Sequence, residues 1–342
     1  MWDRFLRACR REPVDTTPVW FMRQAGRYMP EYRKIRETNT LLDICRNAEL
    51  CTEVTLQPVV AHKVDAAILF ADILLPLEPM GAPFEFAKGE GPIVHNPIRT
   101  VADIERLRIC DPEDGLEYVL NAIRMIRGEL DGKTPLIGFA GAPFTLASYL
   151  IEGGKSSQYI LTKKLMYSEP AAWDMLMSKL AEVVRRYLRA QIDAGAQAVQ
   201  LFDSWIGAIS PEDYKARIQP HVAHILQDVA KTGVPVIHFG TSTTSLLELQ
   251  KEAGGTVMGV DFRSTLTDAH KRLGDDVAYQ GNLEPMLLLA PWDVLKPRAE
   301  SIIEEGKKLP GHVFNLGHGI VPSVDPATVT RLVELVHERG LR

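Results

Sequence analysis

Short runs of apolar, β-prone residues recur along the chain, each followed by a polar or glycine-rich turn and then an amphipathic stretch. The runs cover residues 18–22, 66–70, 136–140, 198–202, 235–239, 257–260, 277–280 and 313–316. Strand alternating with helix predicts parallel pairing and right-handed crossovers, and eight such strands are the number that a (β/α)8 barrel requires. Residues 173–193 carry apolar positions at helical spacing, with Arg185, Arg186 and Arg189 on another face. Residues 212–231 read as one helix opened by Ser210-Pro211, a serine cap with proline at the first helical position. His221 and His224 fall on that helix far from any strand end, where a solvated face is expected rather than a metal site. Between residues 80 and 98, two short alternating segments flank Lys88-Gly89-Glu90-Gly91 and predict a β-hairpin after the second strand. There is no tandem repeat and no linker. The expected fold is α/β, a (β/α)8 TIM barrel forming a single domain over residues 1–342, with a small hairpin excursion.

In such a barrel, reactive groups sit at the carboxyl ends of the strands. The first run exits into Arg23-Gln24-Ala25-Gly26-Arg27, two guanidiniums around a small pair, a pattern suited to holding carboxylates or phosphates. Surface ion pairing is the alternative for both arginines. The second run exits into Asp72, and the third leads through a helix to Tyr149 and Glu152-Gly153-Gly154. The fourth gives Asp203-Ser204-Trp205, the fifth His238-Phe239-Gly240, the sixth Asp261-Phe262-Arg263 and the seventh Gly281-Asn282. The eighth gives Asn315-Leu316-Gly317-His318-Gly319. Each has a plainer reading: Asp72 as a helix cap, Ser204 as a turn residue, Tyr149 as a packing residue. For His318 the flanking glycines point the other way, since they let the backbone pass close to a ligand.

Composition narrows the class of partner. A net charge of −5 argues against a nucleic-acid binder, while leaving room for a local basic pocket. Cys9, Cys45, Cys51 and Cys110 have no C-x-x-C spacing, which fits a reducing compartment and offers no thiolate metal site. The first ten residues mix charged with apolar side chains and contain no signal-peptide core. No run approaches the ~20 apolar residues of a membrane span. A cytoplasmic protein without membrane attachment is expected.

Several segments carry a resemblance: residues 22–32, Phe70-Ala71-Asp72-Ile73-Leu74, residues 138–146, Tyr149-Leu150-Ile151-Glu152-Gly153-Gly154, residues 200–204, Gln280-Gly281-Asn282-Leu283 and Asn315-Leu316-Gly317-His318-Gly319-Ile320. In wording and order they resemble the uroporphyrinogen decarboxylase family over essentially the whole chain. The resemblance implies a TIM-barrel homodimer that uses no metal or organic cofactor. It implies conversion of the four acetate arms of uroporphyrinogen III to methyl groups, giving coproporphyrinogen III and CO2 in haem and chlorophyll synthesis. It places substrate contacts on Arg23, Gln24, Ala25, Gly26, Arg27, Asp72, Tyr149, Ser204 and His318, with Asp72 and Arg23 in catalytic roles. Asp203 and Trp205 depart locally from the pattern, because some relatives carry Glu and His there. The absence of a transit peptide points to a bacterial-type enzyme.

The substrate's chemistry assigns these roles further. Loss of CO2 needs an electron sink, which a protonated, cationic pyrrole supplies in place of a cofactor. Asp72 is expected to stabilise that cation and accept hydrogen bonds from the pyrrole N–H groups. Arg23 is assigned first to binding, because its pKa above about 12 suits an acid poorly, and the proton donor stays open. Two rivals compete. A zinc-dependent methyltransferase needs His and Cys ligands at late strand ends, and no cysteine follows Cys110. A tetrapyrrole carrier would need the arginines but not Asp72.

Overall fold

The computed structural model describes residues 3–87 and 91–342. Seven parallel strands form one curled sheet: β1 (Ala67–Ile68), β4 (Leu136–Gly141), β5 (Ala198–Asp203), β6 (Val236–Gly240), β7 (Val257–Gly259), β8 (Ala278–Gln280) and β9 (His312–Val313), in that spatial order. Helices cover the outer face, so the strands are buried on both sides and read as continuous apolar runs; all six residues of β4 are buried. One contiguous apolar cluster extends from Phe5 to Val336. The remaining pair, β2 (Phe84–Ala87) and β3 (Gly91–Val94), is the antiparallel hairpin, with Phe84 opposite Val94. Its tip, including the predicted Lys88-Gly89-Glu90 turn, lies outside the described residues.

The expected first strand is reduced to a single bridge. Residues 18–22 run between β9 and β1, where Val19 pairs with Phe314 in parallel. The Phe314 N–H donates to the Pro18 carbonyl at 2.8 Å, and the Trp20 N–H donates to the Phe314 carbonyl at 3.3 Å. On the other side the Asp65 N–H donates to the Val19 carbonyl at 2.8 Å, while the Asp65 carboxylate accepts from the Val19 N–H at 2.8 Å. A side chain thus replaces a ladder carbonyl, so the segment closes the sheet without extending it. The eighth run ends early for a related reason: the Asn315 side-chain oxygen accepts from the Met22 and Leu316 N–H groups.

A chain of side-chain hydrogen bonds crosses the enclosed interior. The Trp20 indole donates to Gln280 at 3.0 Å, Gln280 donates to Gln200 at 3.0 Å, and Gln200 reaches the Met22 sulfur at 3.7 Å. These buried polar groups satisfy one another, as an enclosed core requires.

Two helical expectations change. The helix predicted at 173–193 begins earlier, at Pro170–Asp193. The single helix predicted over 212–231 is two, Pro211–Arg217 and Gln219–Ala230. Pro220 has no N–H to continue the ladder and its ring crowds the preceding turn, so the helix breaks at Ile218. The Ser210 cap is present, accepting from the Asp213 N–H at 3.1 Å. His221 departs from the expected solvated face: its side chain is 12% exposed and meets Asp174 at 3.3 Å, whereas His224 is exposed beside Glu182.

Candidate active site

The Arg23 loop is built by a tight turn. The Gln24 N–H donates to the Phe21 carbonyl at 3.0 Å, and Arg23 occupies the third turn position at φ +61°. Glycine normally fills that position; a larger residue there stores about 1 kcal/mol of backbone strain and is characteristic of functional loops. Surrounding groups hold the loop. Gln24 is fully buried, its side chain accepting from the Phe21 N–H and donating to the Ala66 carbonyl. The Tyr28 hydroxyl donates to the Gln24 carbonyl at 2.7 Å, and Arg33 donates to the carbonyls of Arg27 and Tyr28. Gln24 is therefore spent on bracing, with Ala25 and Gly26 half-buried beside it, while Arg23 and Arg27 are exposed. Among the described residues neither guanidinium is engaged by a carboxylate, unlike Arg4, Arg46, Arg185 and Arg272.

Asp72 follows β1 and is half-buried. One carboxyl oxygen accepts from the Leu74 N–H at 2.9 Å in a local turn. The short helix that follows, Leu75–Leu77, is capped by Leu74 without any side-chain bond, so Asp72 is not the helix cap expected from its position. Among the described residues its second oxygen is left for another donor. Desolvation raises its pKa to about 6, against the opposing pull of the Leu74 N–H and the Arg23 charge. At neutral pH the group is mainly a carboxylate held close to its protonation point.

Tyr149 projects from the helix Pro143–Glu152. Burial raises its hydroxyl pKa; the Asp72 charge adds to that rise and the Arg23 charge opposes it. His318 is exposed, and its Nδ1 accepts from the Gly319 N–H at 2.7 Å, which places the ring proton on Nε2. Desolvation lowers its pKa, and the charges of Arg23 and Arg263 lower it further. Arg23, Asp72, Tyr149 and His318 thus act on one another across a single site. Ser204 is half-buried in the turn after β5, and its neighbour Trp205 lies against Tyr149 with ring centroids 4.0 Å apart and a 33° tilt. Arg27 stands apart from Asp72, and its charge reaches the Tyr32 hydroxyl instead.

Sequence reasoning passed over the floor of this site. Gln200 faces the barrel interior, so Phe202, two residues on, shares that side. Its ring meets Phe139 edge-on at 5.4 Å and Phe239 at 6.0 Å. Adjacent strands β4, β5 and β6 therefore line the interior near the strand exits with a row of aromatic rings, an apolar floor against which the pyrrole rings of a macrocycle could rest. The available signal was the recurrence of Phe at strand exits. Asp203 faces the opposite way. It is fully buried, neither carboxyl oxygen makes a well-formed hydrogen bond among the described residues, and burial pushes its pKa to about 8 against the opposing pull of the nearby Thr145 hydroxyl.

The family model for uroporphyrinogen decarboxylase (URO-D) matches residues 2–339. The chain belongs to this family. Two curated uroporphyrinogen decarboxylases show how near the relatives lie. The Sorangium cellulosum protein is 66% identical, with 98% of this chain and 96% of the relative covered. The Carboxydothermus hydrogenoformans protein is 54% identical, with 99% and 97% covered. Among solved structures, a methyltransferase from Methanosarcina mazei superposes with a TM-score of 0.83 at 20% identity, covering 98% of this chain and 97% of that one. A putative vitamin-B12-independent methionine synthase from Listeria monocytogenes reaches 0.53 at 13%, covering 95% and 98%. At those identities the likeness concerns the fold. Among the described residues of this uroporphyrinogen decarboxylase family member, no three His, Cys, Asp or Glu side chains gather as a metal-binding group. No described helix is long and apolar enough to cross a membrane.

Proposed function

We propose that the chain decarboxylates the four acetate arms of uroporphyrinogen III to methyl groups, releasing coproporphyrinogen III and CO2. The carrying observation is the half-buried Asp72 carboxylate within electrostatic reach of Tyr149 and of Arg23, whose guanidinium meets no carboxylate among the described residues. A carrier needs the cations; the centred carboxylate supports catalysis.

The macrocycle lies on the Phe139–Phe202–Phe239 row with its pyrrole N–H groups donating to the free Asp72 oxygen. A proton added to a pyrrole carbon makes the ring cationic. The bond between the acetate methylene and its carboxylate then breaks, its electron pair enters the cationic ring, and CO2 leaves. The methylene takes up a proton to become methyl, and the ring returns its own. Asp72 faces the positive charge throughout, an electrostatic contribution of about 3–4 kcal/mol for a well-aimed group in a dry site. Arg23 and Arg27 hold carboxylates. Tyr149, Ser204 and the His318 Nε2–H offer hydrogen bonds to acetate or propionate oxygens, and Gln24, Ala25 and Gly26 keep the arginine loop in shape.

The proposed protein is a single barrel domain, homodimeric and cytoplasmic; the family resemblance supports the dimer, and four free cysteines suit a reducing compartment. Anaerobic incubation with uroporphyrinogen III, followed by chromatography of the oxidised products, tests the activity. The expected result is passage through hepta-, hexa- and pentacarboxylate species to the tetracarboxylate, unchanged by chelator. Unaltered octacarboxylate with tight binding would support a carrier instead.

A further inference from the structure

Two arginines are a small complement for a substrate with eight carboxylates. The Gly317-His318-Gly319 loop identifies a third. Its ends are pinned: the Gly317 N–H donates to the Leu283 carbonyl at 2.8 Å, and the Ile320 N–H to the Met22 carbonyl at 3.0 Å. A Cβ at Gly319 would stand 2.5 Å from Arg23 Cδ, and one at Gly317 would stand 2.2 Å from the Phe262 backbone nitrogen. The loop is therefore threaded between Arg23 and the Phe262-Arg263 segment, with His318 at its apex. Arg263 is held from behind. Its Nη1 donates to Asp261 Oδ2 at 2.8 Å, and its backbone N–H donates to Oδ1 of the same carboxylate at 2.9 Å. Asp261 is 2% exposed and also accepts from the Ser242 N–H. The Arg263 guanidinium lies over the Phe262 ring at 4.2 Å, and its side chain is 48% exposed. A buried carboxylate and an aromatic face fix one edge of the guanidinium, leaving donors on the other. The charges of Arg23 and Arg263 both depress the basicity of His318.

We propose that Arg263 is a third carboxylate-binding residue of the active site, facing a propionate or acetate arm of the macrocycle from one side of His318 while Arg23 faces it from the other. Asp261 is its positioning residue. The His318 Nε2–H lies between the two cations and completes a cradle for one carboxylate. The inference rests on the decarboxylase reading.

R263Q and R263K test it in the full chain, with uroporphyrinogen III as substrate. R263Q is expected to raise KM about tenfold with kcat within about twofold, as loss of a charge-assisted pair predicts. R263K keeps the charge but cannot fork to a carboxylate, and recovers only part of the affinity. NMR titration of the substrate-free protein should place the His318 pKa higher in R263Q than in wild type, a readout independent of turnover. A folded R263Q with wild-type KM overturns the proposal, whatever its melting temperature. Should R263Q not fold, wild-type KM in R263K overturns it equally. Failure of the decarboxylase reading looks different: wild type itself releases no CO2.

Discussion

The Trp205 ring lies 4.0 Å from the Tyr149 ring, tilted by 33°, while its backbone N–H donates to the Thr145 hydroxyl at 3.3 Å. Trp205 directly follows Ser204, so one indole ties the tyrosine of one strand exit to the serine of the next. Tyr159 meets the same indole at 5.2 Å. Trp205→Ala removes this support without touching either hydroxyl. An aromatic pair contributes about 0.5–1.5 kcal/mol, so kcat/KM should fall roughly threefold to tenfold. Trp205→Phe keeps a ring against Tyr149 and should recover most of the loss. Steady-state kinetics of both variants checks this, and equal losses in the two would show that stacking is not what matters.

Asp72→Asn keeps shape and hydrogen-bonding reach but removes the charge that faces the cationic pyrrole. The expected loss is about 10²–10³ in kcat, with a smaller change in KM. The wild-type pH profile should reflect the same group. In the proposed mechanism its carboxylate form is the active one, and its pKa is raised to about 6, so activity should rise with pH through that value on the acid limb. In Asp72→Asn that limb should disappear.

Asp203 gives a stability prediction of known sign. Its pKa rises from 3.8 in the unfolded chain to about 8 in the fold, so between those values the native state binds more protons. Stability therefore declines as pH rises from about 4 to 8. Asp203→Asn removes the linkage. The variant should gain stability over wild type at pH 8, with the advantage shrinking towards pH 4, as thermal melts across pH would record. An Asp203→Asn difference that is flat with pH would refute the buried-acid account.

His318 accepts a hydrogen bond at Nδ1, and partial desolvation of the ring with two neighbouring cations lowers its pKa. The ring should be neutral at pH 7 and protonated on Nε2. Its 15N chemical shifts report the tautomer directly, and an Nδ1-protonated ring would remove the cradle's central donor.

Much of the barrel was legible because buried parallel strands read as unbroken apolar runs, and seven of eight formed strands near their expected bounds. The first fell short through one residue, Asp65, whose side chain takes the place of a ladder partner. The break at Ile218 was legible in principle from Pro220, but the flanking apolar spacing masked it. Among the residues that strand-exit reasoning singled out, the fold brings Arg23, Asp72, Tyr149 and His318 within electrostatic reach of one another. That reasoning could not distinguish Arg23, which faces outward, from Gln24, which is sealed inward, because a left-handed turn decides their directions. Asp203 and Ser204 are adjacent in sequence, yet Asp203 is the sealed last residue of β5 while Ser204 begins the half-buried turn beyond it, a boundary that the apolar run alone does not mark.

The Trp20–Gln280–Gln200–Met22 chain spans the barrel from wall to wall. Together with the aromatic row, these buried side chains form a packed floor beneath the strand exits. If Asp72 is the one carboxylate that faces the reacting pyrrole, as proposed, a substrate with four reacting arms has to present them to it in turn, so the macrocycle would be re-seated over a fixed mark like a dial.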